Sequence, residues 1–404
     1  MQILVFNGGS SSLSYKVFDL QNGQKVNLLL KGKAYRVGVK GTEASYIENK
    51  WNGNIDKEIV DIPDHRSAAR MAADFIVSRG IRVDAIGHRF VHGGDHFKRS
   101  LIIDNDILLK IKECLPLAPL HNPISYSIIQ EAMSGFKDIP HYLVIDSAFH
   151  STIEPKAYHY PLPVKVIERF KFRKFGFHGI SYSYICDQMP KLINIASEKL
   201  NMIVCHLGTG GASVMAVKNG VSVDTSMGFS PNSGLIMSTR SGDIDPAILL
   251  YLAKNSGMGP AEIEAILNNK SGLQGISGFS SDITDIISHM NDEAVEERAK
   301  LAFEMYIHRL KSYIGSYIMI LQGRLNALVF TDDVGVGNPL IREKVCEPLA
   351  WAGIKIDKVK NNEAKNDRAT FLQSPLSKVD IVSVPTDEEL MICLEGGNLL
   401  GGKQ

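Results

Sequence analysis

Three stretches of the chain share one polarity pattern, a short apolar run that ends in a turn rich in glycine or acid. They are ILVFNGGSSSLSYKVF (3–18), MIVCHLGTGGASVMAV (202–217) and ALVFTDDVGVGNP (327–339). In the first two, a second strand-like run follows the glycines, which predicts a hairpin closed by a glycine turn. One such hairpin is commonplace; two widely separated copies predict a duplicated architecture. Between them lie helical patterns. Residues 66–80 place Ala69, Met71, Ala72, Phe75 and Ile76 near helical spacing and end on Gly80. Residues 291–322 open with Asn291 and acids, then carry apolar positions at intervals of three and four, which predicts a long helix. The stretch 154–163 holds three prolines and is no single regular element. Repeats of short period, heptads and low-complexity linkers are absent from the sequence, so the expectation is two compact α/β domains facing each other.

Composition narrows the class. A chain of 404 residues, 44% apolar and 22% charged, has the balance of a packed globular protein with room for two domains. Lys+Arg and Asp+Glu both number 44, so no global field favours nucleic acid or an anionic membrane. The five cysteines (Cys114, Cys186, Cys205, Cys346, Cys393) are odd in number and far apart, the mark of reduced, structural thiols. The start MQILVFNGGSSS carries no basic leader, and no apolar run reaches the roughly 20 residues of a membrane span. The expectation is a cytoplasmic chain.

The chemistry-bearing residues lie on the turns. In Asn7-Gly8-Gly9-Ser10-Ser11-Ser12, glycines let backbone N–H groups approach an anion, and Ser10 and Ser12 offer hydroxyls. It is neither a Walker A loop nor GxGxxG. In His206-Leu207-Gly208-Thr209-Gly210-Gly211 an imidazole joins the glycines, either to donate to a phosphate oxygen or to bond a carbonyl within the core. Arg89, in GHRFVHGG (87–94), stands at a strand end where a guanidinium can take a carboxylate or phosphate through two bonds. His88 and His92 flank it, but the strand-like residues between them argue against a helical zinc site. Asp146 ends the apolar run of VIDSAFHST, a usual place for an active-site carboxylate. His178 sits in FGFHG, and Arg240 is central to DTSMGFSPNSGLIMSTRSGDIDP (224–246), a long polar stretch of the kind that carries function. Arginines, histidines and an aspartate on separate turns fit phosphoryl transfer, which needs cationic donors around the phosphoryl oxygens more than a strong nucleophile.

Taken in order, NGGSSSL, HRFVHGG, APLHNP, IDSAFHST, FGFHG, CHLGTGG, DTSMGF, TRSGDIDP, NNKSGLQGISGFSSD, REKVCE and PTDEELMI resemble the acetate kinase family along essentially the whole chain. The resemblance implies the acetate and sugar kinase/heat-shock/actin fold: two duplicated actin-like, ribonuclease H-like α/β domains flanking a central cleft. It implies a domain of residues 1–149 plus 386–404 and a second of residues 150–385 that forms a homodimer interface. By motif match, Arg89 and Arg240 bind the carboxylate and the phosphoryl group in flight. His178 stabilises that group, Asp146 is the essential acid, and His206, Gly208, Thr209 and Gly210 contact phosphate. Asn7 and Glu388 position Mg²⁺; Val91, Leu120, Phe177 and Pro231 line a methyl pocket, and His121 matches a further active-site histidine. The implied reaction is direct in-line transfer between a phosphate donor and acetate, giving acetyl phosphate.

Departures from the family pattern gather on the donor side. The lysine that normally follows the first turn is replaced by Ser14, the nearest lysine being Lys16. Thr209 replaces an asparagine, and the segment to Asp224 is one residue longer than usual. SSDxR becomes Ser281-Asp282-Ile283-Thr284, without its arginine. The glycine-rich FT-G/A-GIGEN loop becomes Phe330-Thr331-Asp332-Asp333-Val334-Gly335-Val336-Gly337, two carboxylates where bare backbone would admit a nucleoside. HLGTGG, STR and the TDx loop resemble the pyrophosphate-linked branch of the family, which uses pyrophosphate and inorganic phosphate in place of ATP and ADP. That pair is the favoured expectation, with Asp282, Asp333, Val334 and Gly335 at the donor. The alternatives are ordinary ATP/ADP use, a longer acid such as propionate, and a non-catalytic nucleotide-binding homologue.

Overall fold

Ile3, Leu4, Val5 and Phe6 are all at most 1% exposed, the continuous burial of a strand covered on both faces. They belong to the first of two units in the computed structural model, which describes residues 1–21, 25–39, 41 and 43–401. Unit one holds Met1–Phe149, Gly179–Ser183 and Asp387–Gln404; unit two holds His150–His178 and Tyr184–Thr386.

In unit one the strands are β1 (Gln2–Gly8), β2 (Ser12–Gln21), β3 (Lys25–Tyr35), β4 (Tyr46–Trp51), β5 (Asn54–Ile59), β6 (Ala85–Phe90), β7 (Leu101–Ile102) and β8 (His141–Ile145). They form one sheet in the order β5-β4-β3-β2-β1-β6-β8-β7. β1 and β2 make the expected hairpin, with Asn7 opposite Ser14, while β1, β6 and β8 run parallel. Helices His65–Ser78 and Asn122–Gly135 bury Ala68, Ala69, Ala72, Ile128 and Ala132 against Leu4, Phe6, Leu13 and Ile86. The first of them matches the predicted helix at 66–80 and is capped by Asp64, which accepts from the Ser67 N–H at 2.7 Å. Helix Glu388–Gly401 lies close against β8: the Tyr142 hydroxyl donates to the Ile392 carbonyl at 2.8 Å, and a Cβ at Gly396 would overlap the Tyr142 ring.

In unit two the strands are β9 (Met202–Gly208), β10 (Gly211–Lys218), β11 (Val221–Thr225), β12 (Ala327–Thr331), β13 (Thr370–Phe371) and β14 (Asp380–Ser383), ordered β11-β10-β9-β12-β14-β13. The second predicted hairpin is β9–β10, with His206 opposite Ser213; β9, β12 and β14 run parallel. The run β3-β2-β1-β6-β8 and the run β11-β10-β9-β12-β14 therefore have one topology, a three-stranded meander followed by two parallel strands. The duplicated α/β fold is present.

Two expectations change. The long helix begins at Glu296 and runs to Ile320, because Asp292 ties off a preceding turn by accepting from the Ala294 and Glu296 N–H groups. The third acidic segment is no open turn: β12 leads directly into the helix Asp332–Gly337. The cysteine thiols are free, four of them buried and Cys186 half-buried.

Candidate active site

Parallel strands end on one edge of their sheet, and in open α/β sheets that carboxyl edge is where ligands are met. In unit one it carries Asn7 near the end of β1, Arg89 in β6 and Asp146 immediately after β8. The Arg89 guanidinium donates from Nε and Nη2 to Oδ2 of Asp146, at 2.9 and 2.8 Å, and from Nη1 to Oδ1 of Asn7 at 3.1 Å. Asn7 in turn donates from Nδ2 to Glu388 and to Glu389, both at 3.1 Å. Lys16 completes the cluster at 2.8 Å from Asp387 and 3.2 Å from Glu389. Burial pushes the Asp146 carboxyl up, Arg89 opposes this and Glu388 adds to it. Burial alone would lower the Arg89 pKa, but Asp146 and Glu388 hold it above its ordinary value. The helix start at Gly179 is wedged onto the Asp146 carbonyl, where only glycine fits, and the Ile180 N–H reaches Asp146 Oδ1 at 3.3 Å.

The corresponding edge of unit two carries His206 near the end of β9 and Asp332 just past β12. The His178 and His206 rings stack with centroids 4.1 Å apart, and His178 Nδ1 pairs with the Ser213 hydroxyl at 2.8 Å. His178 has a left-handed backbone (φ 58°), a conformation that non-glycine residues rarely hold without a local reason. The Arg240 Nη1 and His178 Nε2 come within 3.3 and 3.5 Å of the point where Gly211 would carry a Cβ, so both cover the glycine turn. Burial draws the Arg240 pKa below its ordinary value. The loop that carries Arg240 is fixed by its backbone: Leu273 and Gln274 N–H donate to Met237 and Ser238 carbonyls, both at 2.9 Å. Gly272 (φ 61°) permits this close approach, since a side chain there would run into the Met237 carbonyl.

At the second glycine turn this chain's own carboxylates take hydrogen bonds. Asp333 accepts from the Thr209 N–H at 2.9 Å and from the Thr209 hydroxyl. Asp332 Oδ2 lies 3.1 Å from His206 Nε2. Val334 and Gly335 are buried, and Asp282 is a helix cap that accepts from the Thr284 N–H at 2.8 Å. Ser10 is exposed and Ser12 half-buried beside it, the turn being closed by the Gly9 N–H to Ser12 carbonyl bond at 2.9 Å. Of the expected methyl-pocket residues, Val91 and Leu120, with the neighbouring His121, belong to unit one; Phe177 and Pro231 belong to unit two. Val91 and Phe177 are buried and Leu120 is exposed. Gly208 and Gly210 flank Thr209, and a Cβ at Gly208 would overlap Asp332 Oδ2.

Sequence reasoning passed over Glu389, Asp387, Ser213 and Arg342. Arg342 is 1% exposed and donates to the Gly335, Val336 and Asn361 carbonyls at 2.9, 2.6 and 2.9 Å, holding the helix Asp332–Gly337 by its far end. In PLIREKVC, Arg342 stands beside Glu343 and Lys344, and nothing in the sequence separates it from those charges.

The architecture has counterparts among known proteins. The family model described as the acetokinase family matches residues 2–394. The acetate kinase of Thermotoga maritima is 42% identical over 403 residues, spanning 97% of each chain. The crystal structure of acetate kinase from Entamoeba histolytica superimposes with a TM-score of 0.90 at 39% identity, covering 99% of this chain and 100% of that one. A propionate kinase from Francisella tularensis gives 0.87 at 36% identity, covering 98% of each. Similarity of this depth over the full length makes the chain a member of the acetokinase family and a kinase with a carboxylate acceptor.

Proposed function

We propose that this kinase transfers a phosphoryl group reversibly between acetyl phosphate and inorganic phosphate, with acetate and pyrophosphate on the other side. The observation that carries the donor assignment is the Asp333–Thr209 clasp beside the Asp332–His206 pair: the donors of the second glycine turn are already engaged by carboxylates. Asp332 and Asp333 put side chains where the family pattern has bare backbone, and side chains there take up space that a nucleoside would need and pyrophosphate would not. Arg240, His178 and Arg89 are the cations for the phosphoryl oxygens and the acetate carboxylate. A carboxylate oxygen attacks phosphorus in line as the bond to the leaving phosphate oxygen breaks, and the catalytic task is to hold the equatorial charge.

Mg²⁺ suits the edge of unit one. Asp146, Asp387, Glu388 and Glu389 provide four carboxylates against the two cations Arg89 and Lys16, an oxygen-rich cluster with surplus negative charge. Mg²⁺ binds through one or two carboxylates plus waters and substrate phosphates. Glu388, oriented by Asn7, would hold it, and when bound it would neutralise charge developing on the phosphates. Among the described residues no three His, Cys, Asp or Glu side chains converge closely enough to hold a metal ion by themselves, so Glu388 would need waters and substrate phosphate to complete the shell.

A homodimer through unit two fits its surface. Leu250 and Tyr251 are 61% and 68% exposed, and a groove of about 840 Å³ is lined by Leu301, Met305 and Phe303. Sedimentation equilibrium of the full chain, with L250E and L301E as controls, tests this. Among the described residues no helix is long and apolar enough to cross a membrane.

The deciding assay supplies acetyl phosphate and compares inorganic phosphate with ADP as acceptor. Pyrophosphate formation that outpaces ATP formation is expected; robust turnover on ADP with none on phosphate would sink the pyrophosphate reading in favour of ATP. The ratio of kcat/KM for acetate and propionate tests the acid, since one methylene changes binding by only about 1–3 kcal/mol.

A further inference from the structure

Asp332 stands where the family pattern has glycine or alanine, and its backbone is left-handed at φ 66°. An aspartate tolerates that region, but glycine adopts it without strain, so a side chain held there points to a role for the side chain. Its carboxylate lies over Gly208 and 3.1 Å from His206 Nε2. The ring of His178 stacks on His206 with a 4.1 Å centroid separation, and the Arg240 guanidinium lies over the same glycine turn. The side chain of His206 is only 6% exposed, which penalises a charge on its ring unless a counter-charge is close.

We infer that Asp332 is a positioning residue for the phosphoryl-transfer reaction. Through the Nε2 hydrogen bond it keeps His206 protonated and fixed in orientation, so that the glycine turn meets phosphate with a cationic ring. Asp332, from the helix Asp332–Gly337, lies against the ring; its neighbour Asp333 is bonded to Thr209, His178 stacks on the ring and Arg240 lies over the same glycine turn. Asp332 is the carboxylate among them that touches the imidazole. The catalytic part of this inference rests on the reading that the turn after β9 handles phosphate; the pairing itself does not.

The test separates the two. Imidazole ¹⁵N–¹H resonances of the full-length protein are titrated without substrate, with His206 assigned from the signal lost in His206→Asn. In the native chain His206 is expected to keep its proton into the neutral range. In Asp332→Asn and Asp332→Gly its midpoint is expected to fall by about one unit or more, the size of shift that one close opposite charge produces. Equal midpoints in the native and variant proteins would overturn the proposal. Steady-state rates of acetyl phosphate turnover then test the role: both variants should lower kcat at neutral pH at least tenfold with KM for acetate nearly unchanged, and move the alkaline limb of the profile to lower pH. A shifted midpoint with an unmoved pH–rate profile would overturn the catalytic role. Absence of phosphoryl transfer in the native protein would instead overturn the functional reading and leave the titration result standing.

Discussion

The Arg89 guanidinium places two of its hydrogen bonds on a single oxygen of Asp146, leaving the other oxygen to the Ile180 N–H. Asp146 is fully buried and Arg89 keeps 18% of its side chain in solvent. Removing the acid strands a buried cation, which typically costs about 3–5 kcal/mol, with the lower end apt here because Arg89 retains some solvent. Asp146→Ala should therefore lose about 3 kcal/mol in urea unfolding and nearly all activity. Asp146→Asn should retain more stability and still turn over at least about 100-fold more slowly, since a neutral amide cannot hold Arg89 as an ion pair does.

Arg240 contributes differently. Its Nη1 lies 3.9 Å from the Met237 sulfur, a contact of little structural weight. Arg240→Ala should not lower the unfolding free energy, because burial already disfavours the guanidinium's charge, yet it should reduce acetyl phosphate formation about 1000-fold, the scale on which a cation that stabilises a phosphoryl transition state acts. A hydroxamate assay for acyl phosphate beside a urea titration checks both halves; unchanged turnover would remove Arg240 from the site.

Buried histidines make the fold acid-labile. His88 and His141 share a proton-bonded contact at 3.0 Å, and burial draws both below the usual imidazole range. Burial lowers His150 to about 4, although its bond to the Phe177 carbonyl opposes this. A depressed histidine stays neutral in the fold while the unfolded chain takes up a proton near pH 6.5. Its stabilising contribution is thus complete above pH 6.5 and lost as pH falls from 6.5 towards 4, about 3 kcal/mol for His150 over that window. Urea unfolding between pH 8 and 5 should show this decline, and His150→Asn should flatten it while lowering stability at pH 8.

Arg342 governs the donor-side helix from its far end. Burial lowers its pKa to about 10, so it remains charged at neutral pH. Arg342→Met would leave the Gly335 and Val336 carbonyls without their donor, at about 1–3 kcal/mol each. The expected signature is lower stability together with a raised KM for the phosphate donor and little change in KM for acetate. Parallel increases in both would show that the helix does not belong to the donor side.

The local parts of this protein were legible in its sequence, because local parts depend on neighbours a few residues away. The hairpins around Asn7 and His206 follow from alternating apolar runs broken by glycines, and Arg89 and Asp146 could be placed at strand ends for the same reason. The Asp333–Thr209 and Asp332–His206 contacts join residues about 125 positions apart, and only the parallel pairing of β9 with β12 brings them together. The TDD sequence announced two carboxylates without showing that each would be satisfied by the glycine turn. Arg342 was passed over in the sequence, since nothing nearby in the chain foretells the carbonyls it bonds.

Lys16 illustrates how a site can change its spelling and keep its charge. Ser14 and Lys16 lie two residues apart on β2, hence on the same face, and successive side chains on one face of a strand are roughly 7 Å apart. The cation expected at Ser14 has been carried one step along the strand, where Asp387 and Glu389 receive it. Counted position by position, the lysine is missing; counted in electrostatics, it has been translated. The acidic cluster thus keeps a positive charge against it although the position two residues earlier on the strand offers only a hydroxyl.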